Sequence, residues 1–226
     1  MKAVIVIPAF NESAVVYKVL KSLPKKMRGI THLETVVVND GSTDSTSVEI
    51  KKNNVNQVNH RLNRGVGAAT KTGIEWAKRN DADIVVTFDA DGQHHPDDIE
   101  KVIRPIILNR ADLVIGSRFK KKQNIPFDRL LINWFANFAT LFLFGVLSTD
   151  SQSGLRAMSK RAMESIDIRS DRMEFSSEVL LEARRHRLKI KEVPIKAIYT
   201  NYSRLKGQPN TNAFPIMARF LVKFLR

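Results

Sequence analysis

The sequence predicts an α/β protein with a parallel sheet and helices on both faces. Two observations predict it. In the first 120 of 226 residues, short Val/Ile runs alternate with amphipathic stretches. Strands that read as unbroken apolar runs are covered on both faces, as parallel strands are. Carboxylates and turn-forming residues also crowd the positions just after several of these runs, and ligands of such sheets sit outside the carboxyl ends of the strands.

The elements follow in order. Residues 3–7 form the first strand; the run ends at Pro8 and is too short for a secretion-signal core. A helix pattern at 13–23 leads to a strand at 34–38, then a helix at 45–52 and a weaker strand at 55–59. Helix 67–79, strand 84–88, helix 96–108 and strand 113–116 complete this half. Helix 96–108 opens well: Pro96 suits the first helical position, and Asp97, Asp98 and Glu100 suit the positive end of the helix dipole.

The second half reads differently. Positions 130–147, LLINWFANFATLFLFGVL, carry no charge and approach the length of a membrane span. Asn133, Asn137, Thr140 and Gly145 interrupt them, which predicts an interfacial or partly buried helix instead. Residues 174–186 look helical and 189–199 extended. In 213–226, Phe214, Met217, Leu221, Phe224 and Leu225 share one side, with Arg219, Lys223 and Arg226 on another. Such a basic amphipathic helix suits a membrane surface, and equally a terminal helix packed on its own domain. No repeat or low-complexity linker divides the chain, so one domain is expected over 1–226, with parts at 1–120, 121–212 and 213–226.

Composition narrows the chemistry. The absence of cysteine excludes disulfide scaffolds, zinc ribbons and thiol catalysis. Lys and Arg number 37 against 23 Asp and Glu, for a net charge of +14. Residues 1–120 contribute +4 and residues 121–226 contribute +10. A field of this sign attracts nucleic acid, anionic membranes or phosphorylated small molecules.

Asp89-Ala-Asp91 is the sharpest motif. Two carboxylates at i and i+2 after a buried strand suit a hard cation opposed to a diphosphate, with Gln93 as a further oxygen donor. The competing reading is a turn whose Asp residues cap the next helix. Zinc at His94-His95 is disfavoured, because adjacent histidines do not easily share one ion. Asp40, in Asn39-Asp-Gly-Ser-Thr-Asp44, could accept hydrogen bonds from a base or ribose, or serve a capped turn. Asn63-Arg-Gly-Val-Gly67 fails the dinucleotide fingerprint, having Thr70 in place of its last glycine.

Six blocks occur in sequence: Pro8-Ala-Phe-Asn-Glu12, Asn39 to Asp44, Asn63-Arg-Gly-Val-Gly-Ala68, Asp89-Ala-Asp-Gly-Gln-His94, Gly116-Ser-Arg118 and Asp150-Ser-Gln-Ser-Gly-Leu-Arg156. Together they resemble the inverting GT-A glycosyltransferases of family 2, nearest to polyprenol-phosphate sugar synthases. The resemblance implies a GT-A fold with a Rossmann-like mixed, mainly parallel sheet, a nucleotide-diphosphate sugar donor, and Mg²⁺ or Mn²⁺ on Asp89, Asp91 and Gln93. It implies that Pro8, Phe10, Glu12 and Asp40 hold the nucleoside, with Asp89 and Ala90 at the ribose and diphosphate. Arg118, Arg156, Ser203, Arg204 and Lys206 would cradle phosphates, and the 202–208 segment would act as a flap.

A polyprenyl-phosphate acceptor is already ionised, with a second pKa of about 6, so it needs no protein base. Asp150 would serve as base for a hydroxyl acceptor; otherwise it would position Arg156 or a loop. Glu178 resembles a family acidic position of open role, and Asn39 stands where many relatives have Asp. The expected partners are a nucleotide sugar, a polyprenyl phosphate and a membrane surface, not nucleic acid. The expected location is the cytoplasmic face of a membrane, peripheral or anchored through further residues. The alternatives are transfer to a sugar or protein hydroxyl, and a non-catalytic nucleotide-sugar or nucleic-acid binding module.

Overall fold

Ala3 to Ile7 are fully buried, and their alternation divides the interior in two. Ala3, Ile5 and Ile7 enter one apolar cluster while Val4 and Val6 enter the other, as the two-residue period of a strand requires. A strand apolar on both faces must be covered on both, so the sheet is sandwiched by helices. The computed structural model describes residues 1–198 except 122, 124 and 126. The 199–226 segment, including Ser203, Arg204, Lys206 and the expected terminal helix, lies outside the described residues.

The elements are β1 (Lys2–Ala9), α1 (Val16–Ser22), β2 (His32–Asn39), α2 (Thr46–Lys51), β3 (Asn56–Asn59), α3 (Val66–Arg79) and β4 (Ile84–Thr87). They continue as α4 (Asp98–Ile107), β5 (Leu113–Ser117), α5 (Phe127–Phe144), β6 (Arg156–Ser159), α6 (Lys160–Ser165), α7 (Phe175–Arg185) and β7 (Ile190–Pro194). Seven strands make one sheet in the order β3-β2-β1-β4-β6-β5-β7. All neighbours are parallel except β6, which is antiparallel to both β4 and β5. This is the mixed, mainly parallel GT-A arrangement.

That reversed strand builds the site. Arg156, at the start of β6, pairs with Thr87 on β4 and Ile115 on β5. The chain entering β6 therefore crosses the same edge at which the parallel strands end. The 148–155 segment is thereby delivered beside Asp89 and Arg118.

Sequence reading missed β6 and α6. Four residues, Arg-Ala-Met-Ser, carry too short an apolar pattern to announce a strand, and it forms because both neighbours bury it. Helix α4 starts at Asp98, not at Pro96: the Asp98 amide donates to the His95 carbonyl at 2.9 Å in a turn that precedes the helix. Pro105 lies inside the same helix.

Helix α3 approaches β1 so closely that a Cβ on Gly73 would lie 2.1 Å from Cγ1 of Val6. Gly73→Ala gains up to about 1 kcal/mol of helix propensity but overpacks the core at a cost of about 1–3 kcal/mol. We expect a net loss of stability, seen as a lower urea midpoint with an unchanged slope. An unchanged or raised midpoint would contradict this packing.

Candidate active site

The loops that leave β1 and β2 are laced together before they can meet a ligand. The Asn11 amide donates to Ser42 Oγ at 3.0 Å, the Thr43 amide to Asn11 Oδ1 at 2.9 Å, and the Glu12 amide to Thr46 Oγ1 at 2.7 Å. Pro8 is half-buried and Phe10 exposed, while Glu12 is buried at the carboxyl edge of the sheet.

Asp40 is only 2% exposed, and its carboxylate is engaged inside the protein. It accepts from the amides of Arg64 (3.0 Å) and Gly65 (2.7 Å) and from Asn63 Nδ2 (3.0 Å). It also meets His60 Nδ1 at 2.6 Å, and His60 Nε2 lies 2.9 Å from Thr72 Oγ1. Its evident work is to fold the 60–65 loop against β2. Asn39 has a similar explanation: its amide donates to Asn59 Oδ1 at 3.1 Å and its oxygen accepts from the Ser42 amide at 3.2 Å. A carboxylate at that position could not donate.

Beyond β4, Ala90 is buried and Asp89 and Asp91 are partly exposed. His94, only 4% exposed, holds Asp89 Oδ2 through Nε2 at 3.0 Å. Gly154 leaves the room Asp89 needs: a Cβ there would lie 2.0 Å from Asp89 Oδ2. Burial works against ionisation of Asp89, but His94 and the positive charges of Arg118 and Arg156 hold it below the usual carboxylate range. Asp91 goes the other way. Burial and the charge of Asp89 push its carboxyl up to about 6, against hydrogen bonding from Gln93. The Gln93 amide meets Asp91 Oδ1 at 2.9 Å and its Nε2 meets Oδ2 at 2.5 Å.

Two close carboxylates, one resisting ionisation, form a site that a cation would relieve. The donors are oxygens, which suits Mg²⁺ or Mn²⁺. Among the described residues no three His, Cys, Asp or Glu side chains come together as a metal cage.

On the other side of Asp89 lie two arginines of opposite character. Arg118 makes a bidentate pair with Asp150, Nε to Oδ2 and Nη2 to Oδ1, both at 2.8 Å, and its amide adds a bond to Oδ2 at 3.0 Å. Asp150 has no exposed surface. The expectation that it serves as a base meets a carboxylate already saturated by a cation; its geometry is that of a residue orienting Arg118. Arg156 is 1% exposed and donates to the carbonyls of Ser153, Ser176 and Ser151 at 2.9, 2.8 and 2.7 Å. Burial pulls it down to about 10, against the charges of Asp150 and Asp89. Sequence reasoning placed Arg156 on a phosphate, but its donors face three main-chain carbonyls, so it organises the 151–153 turn. Glu178 is likewise internal, accepting from the Ser170 amide at 2.8 Å.

Sequence reasoning missed three residues around Asp150. Glu192 accepts from Ser148 Oγ (2.8 Å), the Thr149 amide (2.8 Å) and Thr149 Oγ1 (2.6 Å). Asn133 and Asn137 on α5 both donate to the Thr149 carbonyl, at 2.9 and 2.8 Å. The available signal was their four-residue spacing inside an otherwise apolar helix.

Helix α5 is inverted. Its small and polar residues, Asn133, Ala136, Asn137 and Thr140, face inward, while Trp134, Phe135 and Phe138 are more than half exposed and Phe142 is 79% exposed. Trp134, Phe138 and Phe142 stack in a ladder with centroids 5.7 and 6.3 Å apart. An open groove of about 360 Å³ runs between Phe119, Leu130, Leu131, Asn133, Trp134 and Asn137. No helix of the described residues is long and apolar enough to cross a membrane.

An acidic pair and a paired arginine gathered on the carboxyl edge of such a sheet make a site of the kind that α/β enzymes place there, and comparison assigns the family. Residues 4–167 match Glycosyl transferase family 2; the chain belongs to it and is a glycosyltransferase. An uncharacterised protein of Methanocaldococcus jannaschii is 45% identical over 97% of this chain and 90% of its own length. UDP-N-acetylglucosamine–dolichyl-phosphate N-acetylglucosaminyltransferase of Methanococcus voltae is 42% identical over 96% and 94%. In fold, glucosyl-3-phosphoglycerate synthase of Mycobacterium tuberculosis, solved with Mn²⁺, UDP-glucose and phosphoglyceric acid, superposes with a TM-score of 0.74. It is 21% identical, covering 99% of this chain and 78% of that one.

The raised Asp91 carboxyl gives a signed prediction. A carboxyl with a folded pKa of about 6 and an ordinary unfolded one binds more protons folded than unfolded between those values. Metal-free stability therefore falls as pH rises from about 4 to about 6. We expect Asp91→Asn to melt higher than the parent at pH 7 without metal and to match it at pH 4. Equal melting temperatures at both pH values would contradict the strained carboxyl pair.

Proposed function

We propose that the chain transfers a sugar from a nucleoside-diphosphate sugar to a polyprenyl phosphate, with inversion, at the cytoplasmic face of a membrane. One juxtaposition carries this reading: the exposed aromatic ladder and groove of α5 lie on the element that bonds the Asp150 segment, and Asp150 holds Arg118. An apolar lipid chain and its phosphate would each find a receptor there. The dolichyl-phosphate transferase similarity supports the same acceptor class.

In this account the nucleotide sugar lies along the edge formed by Pro8, Phe10, Glu12 and the 89–93 turn, with Asp89, Asp91 and Gln93 holding Mg²⁺ or Mn²⁺. A cation held there would supply Lewis-acid neutralisation of charge on a diphosphate leaving group. Arg118, oriented by Asp150, holds the acceptor phosphate through charge-assisted hydrogen bonds. An ionised phosphate oxygen attacks the anomeric carbon opposite the leaving group, so a C–O bond forms as the sugar–diphosphate bond breaks and the configuration inverts. No proton need be taken from the nucleophile, which suits an Asp150 already bonded to Arg118. Ser203, Arg204 and Lys206, which lie outside the described residues, are proposed as further phosphate-binding residues.

The exposed face of α5 is proposed to seat on lipid. Aromatic side chains favour the membrane interface, and the +10 charge of residues 121–226 complements an anionic surface.

The test is transfer from labelled nucleotide sugars to polyprenyl phosphate in vesicles of phosphatidylcholine and phosphatidylglycerol. We expect label in the organic phase only with Mg²⁺ or Mn²⁺, its loss in Asp91→Asn, and weaker vesicle binding in Phe138→Ser/Phe142→Ser. Label confined to a water-soluble sugar acceptor would overturn the lipid reading. Donor binding without turnover on any acceptor would favour a binding module.

A further inference from the structure

Asn137 makes an unusual pair of contacts. Its Nδ2 donates to the carbonyl of Thr149 at 2.8 Å and its Oδ1 accepts from the amide of Ser151 at 2.9 Å. Both polar ends of one side-chain amide are therefore spent on the two peptide groups that flank Asp150, as a neighbouring strand would spend its backbone. Asn133, one turn earlier, adds a second donor to the Thr149 carbonyl at 2.9 Å.

The same segment is held from two further directions. Glu192 of β7 binds Ser148 and Thr149, and Ser117 Oγ of β5 meets Thr149 Oγ1 at 2.7 Å. Asp150 consequently has its main chain fixed on both sides before its carboxylate engages Arg118. A buried bidentate pair needs this: a carboxylate displaced by a fraction of an ångström loses one of its two parallel bonds.

We propose that Asn137, seconded by Asn133, is a positioning residue for the acceptor phosphate, acting through Asp150 on Arg118. Helix α5 then does two jobs with opposite faces. Its aromatic side meets the lipid, and its asparagine side fixes the cation that receives the lipid's phosphate, so chain and headgroup are registered by one rigid element. The phosphate part of this inference rests on the polyprenyl-phosphate reading; the clamp itself does not.

A stabilising role alone would loosen the whole domain, so the test separates local from global effects. In the full chain, hydrogen exchange is followed for the 117–118, 149–151 and 89–93 amides in the parent, Asn137→Ala and the milder Asn133→Ala. Affinity for a short prenyl monophosphate and for the nucleotide sugar is measured alongside. With two neutral hydrogen bonds removed, we expect exchange at 149–151 and 117–118 to quicken by about tenfold or more in Asn137→Ala, with a smaller effect in Asn133→Ala. Exchange at 89–93 stays as in the parent, prenyl-phosphate affinity falls about tenfold, and nucleotide-sugar affinity changes by less than about twofold.

Unchanged exchange at 149–151 in both variants would overturn the clamp. Equal acceleration in all three regions of both variants would reduce the asparagines to general stabilisers and overturn it too. Local acceleration with unchanged prenyl-phosphate affinity would leave the clamp standing and overturn its link to the acceptor. If the parent itself binds no prenyl phosphate, it is the acceptor reading that has failed, and the exchange pattern still judges the clamp.

Discussion

A carboxylate without exposed surface must be matched by a cation and by donors, and Asp150 is matched three times by the side chain and amide of Arg118. Removing one partner of such a pair leaves an uncompensated buried charge, a loss of about 3–5 kcal/mol in typical cases. The pair therefore fixes where the 117–118 turn and the 148–151 segment can lie relative to each other. From that constraint follow the orientation of Arg118 beside Asp89, the anchoring of α5 through Thr149, and the attachment of β7 through Glu192. As a source of stability such pairs are ambiguous. Their clear contribution here is a single geometry.

The surrounding charges alternate in a way the reversed strand makes possible. Asp91 and Asp89 lie towards the proposed donor edge, Arg118 and Asp150 towards α5, and Arg156 is buried behind them. Because β6 runs against its neighbours, it brings the 148–155 segment to an edge otherwise built only from the ends of parallel strands. The outcome is a negative pair that a cation would relieve, next to a cation held in place by its own carboxylate. The proposed transfer between two anionic substrates needs both kinds of site close together.

Much of the first half was legible in the sequence. Buried parallel strands have no polar face, so β1, β2, β4 and β5 appear as uninterrupted apolar runs, and their ends locate Asp89, Asp91 and Arg118. The second half was less legible for physical reasons. Strand β6 is four residues long and takes its identity from the neighbours that bury it. The internal roles of Asp40 and Arg156 depend on which way the side chains turn, and a motif looks the same whether its carboxylate faces a ligand or a loop amide. For α5, composition gave an interfacial or partly buried helix, but which face points outward emerged only from packing: Asn133 and Asn137 turn inward because Thr149 and Ser151 offer them backbone partners.

The charge imbalance divides along the chain as the proposed donor and acceptor halves do. The excess lies in residues 121–226, the part that carries the inverted helix and the Asp150 segment, whereas the acidic pair belongs to the nearly balanced half. Separation of an acidic, cation-accepting turn at Asp89 and Asp91 from the Arg118–Asp150 pair proposed to receive the acceptor is the central claim. It is tested most directly by anomalous diffraction from crystals grown with Mn²⁺ and a nucleoside diphosphate. The account predicts one manganese peak within ligand distance of the Asp89 and Asp91 carboxylates, shared with the diphosphate, and none at Asp150. A peak bound by His95 and Asp97, or by Asp150, with the Asp89–Asp91 turn empty, would contradict it.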